Sequence, residues 1–84
     1  MERLVIKADG TISYQEVGDG YVSWNKTIEA NLGEIVVCGD GTIEFWCDEE
    51  ALCRDNPVYN EVASNIAGYP IYGNVIVFKQ GDIK

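Results

Sequence analysis

Three cysteines, fourteen carboxylates and no histidine bound the chemistry open to this chain. Without histidine there is no Ser–His or Cys–His pair to activate a nucleophile. No Gly-x-Gly-x-x-Gly or Gly-Lys-Ser/Thr loop is present to cradle a phosphate. Cys38, Cys47 and Cys53 form no Cys-x-x-Cys. A structural zinc ion takes about four Cys or His ligands, more than this chain offers. An odd number of thiols makes a poor disulfide framework, so the three read as small apolar side chains of a cytosolic protein. Asp48-Glu49-Glu50 lacks the spacing of a calcium-binding loop. The expectation is a protein that is not an enzyme and holds neither metal nor cofactor.

What remains is binding, and charge gives the first direction. The net charge is −8, and residues 34–61 hold eight acids against the single Arg54. Duplex nucleic acid is a poor direct partner for such a surface, because affinity there comes from lysines and arginines set against phosphates. A protein with a basic surface is the better match. Strand alternation over Thr42–Asp48 sets Trp46 beside Glu44 and Asp48 on a polar face, which makes Trp46 a candidate contact residue unless a helix covers it. Trp46, Glu44, Asp48, Glu49 and Glu50 form the first candidate set, for a protein partner. A second set suits a flat, nucleotide-like ligand: Tyr69, Ile71, Tyr72, Tyr21 and Trp24 for stacking, with Arg54 as a donor. Tyr69-Pro70-Ile71-Tyr72 could alternatively form a two-fold patch in a homodimer.

The elements that must position these residues follow from pattern. Leu4, Ile6 and Ala8 alternate with polar neighbours, Asp9-Gly10 is a hairpin turn, and Thr11–Val17 resumes with Ile12 and Tyr14 on one face. Ser23 is set to cap a helix whose stripe is Trp24, Ile28 and Leu32, stopped by Gly33. Ile35–Cys38, the Gly39-Asp40-Gly41 turn and Thr42–Asp48 make a second hairpin. Asp48 opens a short turn or helix as its cap. Asn56-Pro57 begins a second helix with Val58, Val62 and Ile66 on its stripe and Gly68 at its end. Val75–Phe78 is a strand buried on both faces, which can run parallel to a neighbour, and Gln80–Lys84 is a polar tail. The sum is a single α+β domain over residues 1–84, in the order ββαββαβ: two hairpins, two short helices and a buried last strand.

No apolar run approaches the roughly 20 residues that span a bilayer, and the N-terminus has no signal-peptide pattern, so neither membrane nor export is expected.

The ordered motifs resemble a small bacterial family of domains of unknown function found in phages, conjugative elements and some cyanobacterial and Gram-positive genomes. The residues that carry the likeness are Asp9-Gly10-Thr11, Ile28-Glu29-Ala30, Leu32-Gly33-Glu34-Ile35-Val36-Val37, Asp40-Gly41, Asp48-Glu49-Glu50, Asn56-Pro57, Ala63–Gly68 and Gly73-Asn74-Val75-Ile76-Val77. Leu32 and Ala51 stand where the family usually has glycine. The resemblance implies a phage or mobile-element setting, with the protein in the host cell cytosol, and brings no catalytic residues. The leading expectation is a small acidic protein that engages a host protein through an acidic and aromatic face. A nucleotide-like ligand binder and a self-associating accessory protein are the alternatives.

Overall fold

Five strands form one antiparallel sheet in the order β2-β1-β5-β4-β3. The computed structural model describes residues 1–79, so the polar tail expected at 80–84 lies outside the described residues. The elements are β1 (Glu2–Ile6), β2 (Ile12–Glu16), α1 (Tyr21–Ile28), β3 (Gly33–Cys38), β4 (Ile43–Asp48), a 3₁₀ turn (Ala51–Cys53), α2 (Glu61–Ala67) and β5 (Val75–Lys79). The expected α+β class and ββαββαβ order hold. The last strand differs in direction: β5 lies between β1 and β4 and is antiparallel to both, where a parallel neighbour had been open. No helix among the described residues is long and apolar enough to cross a membrane.

Both hairpins close on the predicted turns. The Lys7 amide donates to the Thr11 carbonyl at 2.8 Å, and Asp9 Oδ1 accepts from the Thr11 amide. Gly10 turns the chain at φ +95°, a conformation other residues rarely adopt. In the second hairpin the Gly41 amide donates to Cys38, and Asp40 Oδ1 accepts from both the amide and the hydroxyl of Thr42.

The sheet is covered on both faces, which single-strand alternation does not reveal. α1 packs with Val5, Val17, Trp46, Ile76 and Phe78 on one face; α2 and Ile71 pack with Ile6, Cys38, Phe45, Cys47 and Val75 on the other. β1 therefore buries both Val5 and Ile6, one on each face, rather than Leu4, Ile6 and Ala8 on one. On the edge strand β2, Ile12 and Tyr14 are exposed, because α2 reaches over the β3–β4 side of its face and leaves theirs bare.

Both helices start elsewhere than expected. α1 begins at Tyr21 with Gly20 as its cap, so Ser23 lies inside the helix. It ends at Glu29, which takes the left-handed conformation at φ +60°, and Leu32 is exposed beyond the stripe of Trp24 and Ile28. Gly33 is no helix stop. It sits in β3 under the Trp46 ring, and a Cβ there would lie 2.3 Å from the indole. α2 is capped by Asn60, not Asn56, with Asn60 Oδ1 accepting from the Ala63 amide at 3.0 Å. Residues 57–59 lie outside the helix, and Tyr59 bridges to Tyr72. α2 buries Ala63, Ser64 and Ala67, while Val58 and Ile66 are exposed. Gly68 ends it as expected. Asp48 does not cap a helix: Glu50 precedes the 3₁₀ turn, and Asp48 Oδ1 instead accepts from the Glu50 amide.

Candidate functional site

The face expected to present Trp46 is closed. Trp46 is 5 % exposed, stacked on Tyr21 at 5.0 Å and edge-on to Trp24, and its Nε1 donates to Asn25 Oδ1 at 2.8 Å. The covering helix is α1, so Trp46 is a core residue and offers no ring to a partner. Trp24 is likewise buried, against Phe78, with its Nε1 donating to the Gly18 carbonyl. Asp48 is buried too, its Oδ2 accepting from Arg54 Nε at 2.6 Å. Of the first candidate set, Glu49 is exposed and Glu44 and Glu50 are half-buried.

The second set is divided by the sheet. Tyr21 and Trp24 belong to the α1 face, whereas Tyr69, Ile71 and Tyr72 lie in the segment that follows α2. Arg54 is at neither place. It lines a cleft of about 310 Å³ with Glu29, Asn56 and Asn74, and its Nη2 donates to the Glu29 carbonyl at 3.1 Å. Asn74 is occupied as well, accepting from the Ala8 amide and donating to Glu29. These bonds tie Arg54 and Asn74 to Asp48 and Glu29 across that cleft.

A second cleft joins parts of both sets. Its volume is about 140 Å³, and its walls include Glu34, Val36, Glu49, Leu52, Tyr69 and Tyr72, with Ile71 and Asp48 behind them. Two turns and a strand build it. β3 places Glu34 and Val36 on the α2 face by alternation, opposite Cys47 and Phe45. The Asp48–Glu50 turn swings Glu49 and the exposed Leu52 over the strand end. The Tyr59–Tyr72 bridge and the Ser64 Oγ contacts to the Ile71 amide and carbonyl fix the tyrosine segment. Tyr69 Oη donates to the Val37 carbonyl at 3.3 Å. Burial first, and then Cys38, Cys47 and Glu34 nearby, raise the Tyr69 pKa, so the phenol stays protonated as a donor.

This site carries the carboxylates Glu34 and Glu49, the rings of Tyr69 and Tyr72, and the apolar side chains Val36, Leu52 and Ile71. Its thiol is not a nucleophile: burial first, then Cys38, Glu34 and Asp48, push Cys47 up to about 12. Cys38 is also raised, mainly by burial. Among the described residues, no group of three or more Cys, Asp and Glu side chains is placed to hold a metal. Sequence reading had both Glu49 and the tyrosine loop, but had them in separate sites, and it missed Glu34, Val36 and Leu52. The signal was present in Glu34 and Val36 sharing a period-two face, but nothing in the sequence says which loop folds over that face.

No protein-family model, no curated protein and no solved structure matches the chain.

Proposed function

We propose that this is a non-enzymatic protein-binding module that takes a basic side chain of another protein into the Tyr69–Glu34–Glu49 cleft. The observation that carries this reading is the cleft's composition: the carboxylates Glu34 and Glu49 with the rings of Tyr69 and Tyr72, in an acidic chain. An ammonium or guanidinium gains both charge pairing and the face of an aromatic ring in such a place. Size points the same way. At about 140 Å³ the cleft suits one side chain, whereas small-molecule sites usually need about 300 Å³ or more. Among the described residues, a nucleotide-like ligand also finds no arginine or lysine in the walls of this cleft to meet a phosphate, Arg54 lining the other one. The mobile-element resemblance makes a host protein the natural source of the basic segment.

The test is titration of the protein with short Arg- and Lys-containing peptides, followed by amide chemical shifts. Shifts are expected to cluster on Glu34, Glu49, Leu52 and Tyr69. Glu34→Lys combined with Tyr69→Ala is expected to weaken binding by about tenfold or more, a loss typical of an interface anchor. Retention of full affinity by that variant, with an unchanged far-ultraviolet circular dichroism spectrum, would falsify the assignment.

A further inference from the structure

β3 is an edge strand whose outer side is open. Among the described residues no strand lies beyond it. Its pairing with β4 fixes which backbone groups face outward. The Glu49 amide donates to the Leu32 carbonyl, so Leu32 and Glu49 are a hydrogen-bonded pair in the same register that sets Gly33 opposite Asp48. Antiparallel ladders alternate, so Glu34, Val36 and Cys38 bond to β4, while Gly33, Ile35 and Val37 turn their N–H and C=O groups to the open side. The Tyr69 hydroxyl on the Val37 carbonyl agrees with this, since a donor from outside the strand pair reaches that oxygen. Sheet edges are commonly guarded by lysine, proline or a bulge. β3 is Gly-Glu-Ile-Val-Val-Cys: it has no lysine, proline or bulge and pairs with β4 residue for residue, its one charge being Glu34 and the Tyr69 hydroxyl meeting its outer side at Val37.

The two faces beside this edge differ in chemistry. On the α1 face stand Ile35 and Val37, 45 % and 53 % exposed. On the α2 face stand Glu34 and Val36, which are walls of the acidic cleft. An added strand alternates its side chains between those same two faces.

Resting on the cleft reading above, we infer that β3 accepts an extended peptide as a sixth, antiparallel strand, and that the peptide alternates apolar and basic residues. Apolar side chains opposite Gly33, Ile35 and Val37 cover the exposed aliphatic pair. Basic side chains opposite Glu34 and Val36 enter the cleft beside Glu49 and Tyr69. Backbone bonds to Ile35 and Val37 supply affinity and the alternating pockets supply specificity. The Tyr69 hydroxyl yields the Val37 carbonyl, or shares it, when the peptide amide arrives. β2, the opposite edge, has a different flank: its face also carries Glu2 and Glu16, but the cleft of about 480 Å³ beside Tyr14 is lined by Arg3 and Lys79 as well as Glu2, so its charge is mixed.

Four peptides test this by calorimetry on the intact protein: Val-Arg-Val-Lys-Val; its scramble Arg-Lys-Val-Val-Val; the first with its central valine N-methylated; and the first with its arginine N-methylated. The central valine amide faces Ile35, and the arginine amide faces solvent. The scramble and the valine-methylated peptide are expected to bind about tenfold or more weakly than the parent, and the arginine-methylated peptide as well as the parent. Equal binding by all four overturns strand addition while leaving the basic-side-chain reading standing. Binding by none overturns that reading and this one together. A protein that is dimeric by sedimentation, and is made monomeric by Val37→Lys, assigns the edge to a second copy and also overturns the inference.

Discussion

Asn60 is a buried amide with three partners. Its Oδ1 accepts from the Ala63 amide, and its Nδ2 donates to the carbonyls of Ile6 and Gly73 at 3.1 and 2.8 Å. One side chain thus caps α2 and ties the end of β1 to the turn before β5. Asn60→Ala removes the cap and orphans two carbonyls, a loss of about 3 kcal/mol from cap and desolvation together, to be read as a lowered urea midpoint. Local rules favour a cap at Asn56 before Pro57, whereas the cap α2 uses is Asn60. Tertiary bonds decide for Asn60: the Gly73 amide takes the Val58 carbonyl and the Asn60 amide takes Ile71, which holds this stretch outside the helix. The thiols make a second residue-scale prediction. Cys47 is raised from 9.0 to about 12 by burial, whereas Cys53 is exposed. A thiol reagent at about pH 8 is expected to label Cys53 alone in the native protein and all three cysteines after unfolding. A raised folded-state pKa contributes stability that is whole below the unfolded value and lost as pH climbs through the folded one. The urea midpoint is therefore expected to fall between pH 9 and pH 12. A Cys47→Ala variant should show a flatter fall.

Elements were legible where one element's own pattern decides. The alternation of β4 correctly sorted Ile43, Phe45 and Cys47 from Glu44 and Trp46. The stripe of Trp24 and Ile28 correctly found α1's buried side. What failed each time was a relation between elements. Trp46 looked exposed because its strand cannot announce that a helix some 20 residues earlier lies over it. Gly33 looked like a helix stop because its reason for being glycine is an indole from β4. This relation is testable. Gly33→Ala places a methyl inside the Trp46 ring's space and is expected to lower stability by about 1–3 kcal/mol, as overpacking does. The double variant Gly33→Ala, Trp46→Phe should recover part of that loss if the indole is the obstacle. The candidate site was legible in pieces for the same reason: Glu49 and Tyr69 were each noticed, but their meeting depends on how the 3₁₀ turn and the tyrosine segment flank β3.

At the scale of the whole molecule the net charge of −8 acts twice. It repels itself in the folded state, so added salt is expected to raise the urea midpoint modestly as the repulsion is screened. It also attracts a basic partner, so the same salt should weaken binding to Arg- and Lys-containing peptides. Opposite signs in the two titrations separate electrostatic recognition from a general change in stability.

The place of β5 has a consequence for how the protein is made. β5 is the middle strand of the sheet, yet it follows both hairpins in the chain. During translation β1–β2 and β3–β4 are each complete while the position between β1 and β4 is vacant. Val5, Phe45 and Trp46 have no Ile76 or Val77 to pack beside until the last strand leaves the ribosome. A chain truncated just before Val75 would hold two hairpins that share no hydrogen-bonded strand, each with an unpaired inner flank. The nascent chain should stay protease-sensitive until Val75–Lys79 is free to take its place between β1 and β4.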